Sequence, residues 1–261
     1  MSELYIYPIK SARGIRVDAA TITDRGFSND RRFMVVDPAG EFFTQRAHPQ
    51  LSQVVVRIER DELVMEAPSA GSLSVPLRPR SGEHRRVRVW DDHCDAIALG
   101  EPSRRFFERV LGTPAELVYM PDEVIRPVER GYAPEGTPVS FADGYPFLLI
   151  GQASLDDLNT RLAAPVPMNR FRPNLVVEGS APFAEDSWAS FSIGDVVFQP
   201  VKLCARCTMV TIDQATGTPG KEPLATLARY RTQDHKVMFG QNLLHRGSGE
   251  IRVGDALSLT A

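Results

Sequence analysis

The stretch FSIGDVVFQPVKLCARCTMVTID, residues 191–213, decides how the chain is read. FSIGDVVFQPVKL is rich in β-branched and aromatic residues, and TMVTID resumes that character after a C-x-x-C pair, Cys204 and Cys207. A thioredoxin-type C-x-x-C opens a helix, whose N-terminus lowers the thiol pKa. Strand is expected here on both sides, so that reading fits poorly. A structural zinc site needs four nitrogen or sulfur ligands. The chain has one further cysteine, Cys94, and its His235 and His245 lie too far apart for a zinc knuckle. Two readings stay open: a pair of buried apolar thiols at a strand edge, or one thiolate serving a soft metal. Arg206, directly before Cys207, favours the second, because an adjacent cation stabilises a thiolate.

Outward from this stretch the chain is mainly strand. LYIYPI, VDAATIT, RRFMVVD, EFFTQ, LSQVVVRIE, ELVMEAP, LSVPL and HRRVRVW are short and partly alternating, with turn-like PAGE (38–41) and SAG (69–71) between some of them. EPSRRFFERVLG (101–112) predicts a helix with Ser103 as N-cap and Gly112 as its stop. GQASLDDLNTRLA (151–163) and PLATLARYR (223–231) predict two more, a Pro- and Gly-containing loop covers roughly 121–138, and IRVGDALSLT reads as a closing strand. The expected class is α+β, mainly β with a few helices, built as barrels or sandwiches and not as a doubly wound sheet. A composition shift near residue 95 suggests two parts, 1–95 and 96–261. Trp90, Phe147, Trp188 and Phe191 are expected in the core, and Cys94 as a buried small residue.

Composition excludes several classes. With 43% hydrophobic and 24% charged residues the chain is globular, and a formal net charge of −3 gives no basic footprint for nucleic acid. Three cysteines make an odd count, which argues against a disulfide framework and for a reducing compartment. The start, MSELYIYPIKSARG, lacks the form of a signal peptide, and no run approaches the roughly 18 to 20 apolar residues of a membrane span. A cytoplasmic protein with no membrane partner is expected.

Cations stand beside strands at several points. Lys10, Arg32, Arg172 and Arg206 suit an anionic, phosphate-bearing ligand: arginine offers a bidentate fork and lysine a point charge. LYIYPIKSARG, NDRRFMVVD with TQRAHPQL, FADGYPFLLIGQASLDDLNTRL, FRPNLVV, EDSW, CARCTMVTID-x-x-TG, EPLATL-x-x-YR and FGQN follow one another along the chain. In this order and spacing the sequence resembles the MOSC-domain proteins, and within them the amidoxime-reducing components and their bacterial relatives.

That resemblance implies a MOSC β-barrel domain preceded by an N-terminal β-barrel region whose first strands pack with it. It implies a molybdenum cofactor, with Cys207 as the metal's protein ligand and Cys204 as its neighbour. Lys10, Ser11, Arg32, Arg172, Asn174 and Arg206 fall on positions that hold the pterin and its phosphate, and Asn242 on another contact. At 144–145, where relatives can carry Thr-Ser, this chain has Gly144 and Tyr145, so contacts there fall to the backbone. The implied reaction is two-electron reduction of N-hydroxylated compounds such as amidoximes and hydroxylamines, N–OH to N–H. Asp143 is the candidate proton donor. No cysteine follows Cys207, so the resemblance implies no iron–sulfur cluster in this chain. Electrons are then expected from a separate electron-transfer protein and a flavin reductase. The alternative it implies is a carrier of sulfur, as a Cys207 persulfide, or of bound cofactor.

Overall fold

Two eleven-residue strands, Val196–Arg206 and Lys236–Arg246, pair antiparallel and form the spine of the molecule. Both are dense in β-branched and aromatic side chains, and alternate residues such as Phe198 and Leu243 point into one apolar core. The structure, a computed structural model, describes residues 1–129 and 131–260, so residue 130 of the expected loop lies outside it. Phe147–Gly151 adds to Lys236–Arg246, and Leu175–Val177 adds to Phe147–Gly151 in parallel, with helix Gln152–Thr160 in the crossover. The first strand of the chain, Glu3–Ile6, then pairs with Leu175–Val177, so the N-terminus is built into the sheet of the C-terminal half. Phe191–Ile193 and Leu257–Leu259 complete the other side of this nine-stranded sheet.

A second, four-stranded sheet runs Phe33–Val36, Glu116–Tyr119, Asp92–Ala98, His84–Val89. Residue 95, at the composition shift, lies within its strand Asp92–Ala98. The meander Val55–Glu59, Glu62–Ala67, Gly71–Pro76 packs with helix Gly100–Leu111 over a separate core that holds Leu63, Met65, Phe106 and Phe107. Mainly β architecture with three α-helices is what the sequence leads one to expect. Among the described residues no helix is long and apolar enough to cross a membrane.

Several local expectations are corrected. TMVTID is not a strand: Thr208–Thr211 is a single 3-10 turn, closed by the Thr211 hydroxyl donating to the Thr208 carbonyl at 2.8 Å. Tertiary packing of Val210 and Thr211, both buried, overrides their β propensity. EFFTQ makes only isolated bridges, through Glu41 and Phe42. The helix predicted over 101–112 begins at Gly100, and Ser103 lies inside it, its hydroxyl donating to the Gly100 carbonyl instead of capping. Gly112 does stop the helix, in the left-handed conformation at φ 72°. The closing segment splits into Gly249–Arg252 and Leu257–Leu259, which join different sheets. Trp90, expected in the core, is 39% exposed.

Candidate functional site

One cleft gathers loops from both halves of the chain. Lys10 and Ser11 follow the strand Glu3–Ile6. Asp143, Gly144 and Tyr145 precede Phe147–Gly151, and Arg172 and Asn174 precede Leu175–Val177. Arg206 ends Val196–Arg206, Cys207 follows it, and Asn242 lies in Lys236–Arg246. Of the eleven residues expected at the site, these ten line the cleft and Arg32 does not. Arg32 points the other way: its guanidinium donates to the Met120 carbonyl and to Asp122 Oδ1 at 2.7 Å. Arg31 takes its place. It adopts a left-handed backbone at φ 49°, which turns its side chain into the cleft, where it donates to Asn174 Oδ1 at 2.9 Å.

Sequence reasoning also missed Arg46, Arg170 and Trp90, which line the cleft as well. Arg170 had a signal, standing two residues before Arg172 in NRFRPN. Arg46 lies in TQRAHPQL, a segment without a charged pattern of its own.

The cleft is built around Tyr7. Its buried ring has the Arg31 and Arg172 guanidinia each 4.3 Å from its centroid. Its hydroxyl donates to the Pro173 carbonyl at 2.9 Å. Stacking on an aromatic face lets two guanidinia share one small space. Gly14 makes room for the ring, because a Cβ there would fall 2.3 Å from Tyr7 Cε1. Asp30, also buried, pairs with Arg31 at 2.5 Å and accepts from the Tyr7 backbone N–H. Burial pushes the Asp30 carboxyl up, against the pull of Arg31.

Arg172 has no such partner. It is buried, left-handed at φ 54°, and donates to the Ala12 carbonyl at 2.6 Å; among the described residues it forms no ion pair. Burial pushes its guanidinium down to about 10. Arg206 donates to the Phe171 carbonyl at 3.0 Å, while its Nε is buried with no partner, as is Nε of Arg170. Buried polar atoms are normally satisfied, so these orphaned donors call for an acceptor. The six cations lining the cleft, Lys10, Arg31, Arg46, Arg170, Arg172 and Arg206, face one lining acid, Asp143.

Lys10 is buried, and its ammonium donates to the Phe141 carbonyl at 2.8 Å and to Asp143 Oδ1 at 2.5 Å. Burial lowers its pKa, against the pull of Asp143. For Asp143, desolvation works upward, but the Lys10 charge and hydrogen bond overcome it and hold the carboxyl well below the usual carboxylate range. Its side chain stays 70% exposed, so solvent screens part of that pairing. Tyr145 turns its hydroxyl to Glu129 at 2.7 Å, which in turn pairs with Lys202.

Both cysteines of the C-x-x-C line the cleft. Cys207 is exposed, and Cys204 is half-buried against the apolar cluster around Phe171 and Phe239, where burial raises its pKa. All three cysteines are free, and among the described residues no cluster of three or more His, Cys, Asp or Glu could hold a metal by itself. An accessible thiol beside buried, unpartnered guanidinium donors fits an anionic metal cofactor that brings most of its own metal ligands.

Residues 1–114 match the MOSC N-terminal beta barrel domain, and residues 136–258 match the MOSC domain. The mitochondrial amidoxime reducing component 2 of Rattus norvegicus is 36% identical, over 98% of this chain and 81% of that protein. The mitochondrial amidoxime-reducing component 1 of Homo sapiens is 32% identical, over 99% and 82%. The molybdenum cofactor sulfurase of Oryza sativa subsp. japonica is 31% identical over 92% of this chain, which spans 32% of that larger protein. The chain therefore belongs to the MOSC-domain family, as a protein that joins the MOSC N-terminal β-barrel domain to a MOSC domain.

Proposed function

We propose that this protein is a molybdenum-cofactor-dependent reductase of N-hydroxylated compounds. The observation that carries this reading is the exposed Cys207 thiol in one cleft with buried Arg172, a cation without a carboxylate. The likeness to amidoxime-reducing components over nearly all of this chain supports it. The cofactor, when bound, supplies the two-electron chemistry that turns N–OH into N–H and water. Arg172, Arg206, Arg31 and Lys10 hold its anionic groups, with Ser11, Asn242 and the backbone at Gly144 and Tyr145 as further polar contacts, and Cys207 is the protein's ligand to the metal. Asn174 acts indirectly, since its Oδ1 already accepts from Arg31 and from the Leu148 N–H.

Asp143 is better suited to another task than the proton donation expected of it. A carboxyl held ionised by an adjacent ammonium has no proton to give near neutrality. We assign it as the counter-ion that fixes Lys10. In this reading residues 1–95 supply the Lys10 side of the cleft and residues 96–261 its thiol side. A separate electron-transfer protein with a flavin reductase returns the electrons, in the cytoplasm.

The test is metal analysis of protein made in a host competent for cofactor synthesis, followed by reduction of benzamidoxime with an artificial electron donor. About one molybdenum per chain with turnover is the expected result. Metal-loaded protein without turnover overturns the reductase reading, and metal-free protein with a persulfide on Cys207 makes it a sulfur carrier.

A further inference from the structure

The rim of the cleft carries an aromatic residue in a backbone conformation that does not favour one. Trp90 and Asp91 form the two-residue turn between His84–Val89 and Asp92–Ala98, with Val89 paired to Asp92. Trp90 sits at φ 57°, a region that glycine, asparagine and aspartate occupy readily and a bulky side chain does not. Trp90 is 39% exposed, so a substantial part of its surface stays open to solvent.

The ring is nevertheless held in place from three directions. Its Nε1 donates to Asp143 Oδ1 at 3.1 Å. Phe42 meets it edge-on with centroids 5.2 Å apart, and the Arg46 guanidinium lies 4.6 Å from its centroid. Trp90, Asp143 and Gly144 line both the cleft and a second pocket outside it, which Arg126 and Glu129 help to form. The indole thus stands on the divide between the two, held by these contacts and partly exposed. Arg46, exposed and also lining the cleft, adds a planar cation that stacks on aromatic groups.

We propose that Trp90, backed by Arg46, is the specificity-determining platform of the cleft: the planar aromatic part of an N-hydroxylated substrate stacks on it while the N–OH group enters the cleft. This rests on the reductase reading above. An alkyl substrate offers no π face and gains little from the platform.

The test compares benzamidoxime with acetamidoxime on the molybdenum-loaded protein and its Trp90→Gly and Trp90→Phe variants. In Trp90→Gly the aryl-to-alkyl ratio of kcat/KM falls about tenfold, mainly through KM, the size expected for one lost aromatic stack. Trp90→Phe keeps most of the ratio. Glycine relieves the left-handed turn and so offsets part of the lost Asp143, Phe42 and Arg46 contacts, and the ratio between the two substrates, not the Tm, carries the test. An unchanged ratio in Trp90→Gly or an equal loss in both variants overturns the proposal. A second arm reads binding without turnover. Trp188 is the only other tryptophan, so in a Trp188→Phe background the emission reports Trp90 alone. Benzamidoxime quenches it and acetamidoxime does not; absence of quenching overturns the platform. If the loaded protein reduces neither compound, the reductase reading fails while the quenching still decides the role of Trp90.

Discussion

Lys10 and Asp143 form an unequal ion pair: the ammonium side chain is 7% exposed, the carboxylate side chain 70%, and the two meet at 2.5 Å. The cost of burial falls on the lysine, which explains why its pKa moves down even though a carboxylate touches it. Asp143→Asn removes that carboxylate and leaves the ammonium with the Phe141 carbonyl and a neutral amide. A loss of about 1 kcal/mol is expected, below the figure for a fully buried pair because solvent reaches Asp143. The pH dependence has a definite sign. A depressed carboxyl contributes stability that is full above its unfolded pKa, about 4, and is lost as pH falls through the folded value. The Tm gap between parent and variant should be constant from pH 5 to 7 and close below about pH 4. A gap that persists unchanged into acid refutes the pairing.

Arg31 and Arg32 are neighbours with opposite destinations, and their alanine variants should separate. Arg31→Ala strips buried Asp30 of its cation and Asn174 of a donor, at a cost of about 3 kcal/mol. Arg32→Ala gives up a contact with exposed Asp122 and the Met120 carbonyl, at about 1 kcal/mol. Cofactor content of the purified protein should fall in the first variant and hold in the second. Denaturant melts with metal analysis check both, and equal cofactor loss would return Arg32 to the site.

These two arginines also mark how far the sequence could be read. Strand-rich segments and the Gly112 stop are legible because each depends on local residue type, and that residues from Lys10 to Asn242 share one cleft is legible through the resemblance of their motifs to MOSC-domain proteins. The side to which Arg31 or Arg32 turns depends on a left-handed φ at Arg31 that no propensity announces. TMVTID misleads because β-branched residues there pack as a 3-10 turn against neighbours far away in sequence. Trp90 misleads because a large aromatic is read as core by default, whereas here a hairpin turn lifts it to the cleft rim.

The two thiols of the C-x-x-C should react differently. Cys207 is exposed, Cys204 is half-buried with its thiol pushed up by burial, and buried Cys94 is raised to about 11. A thiol reagent at neutral pH should therefore modify Cys207 at least about tenfold faster than the others in cofactor-free protein. Peptide mapping reads the order. Cys207→Ala should leave stability within about 0.5 kcal/mol and lose the metal. Cys204→Ala should keep the metal and lose about 1 kcal/mol of packing. Metal loss in Cys204→Ala alone would reverse the assignment of the ligand.

Arg172 gives the sharpest measurement, because it needs no cofactor. Its guanidinium is buried against Tyr7 and has the Ala12 carbonyl as its acceptor, so most of its donors are available to an anion. Inorganic phosphate is the simplest probe of that capacity, and an anion that binds only the folded state raises Tm with concentration. Arg172→Met keeps the apolar bulk beside Tyr7 and removes the charge. Without phosphate the variant should be as stable as the parent or slightly more so, since an uncompensated buried charge costs more than the hydrogen bond to Ala12 returns. With phosphate the parent's rise in Tm should largely vanish in the variant. Loss of charge-assisted hydrogen bonds worth about 2 kcal/mol weakens binding roughly thirtyfold. A shift of equal size in parent and variant would place the anion elsewhere, and a variant markedly less stable without phosphate would make Arg172 a structural cation.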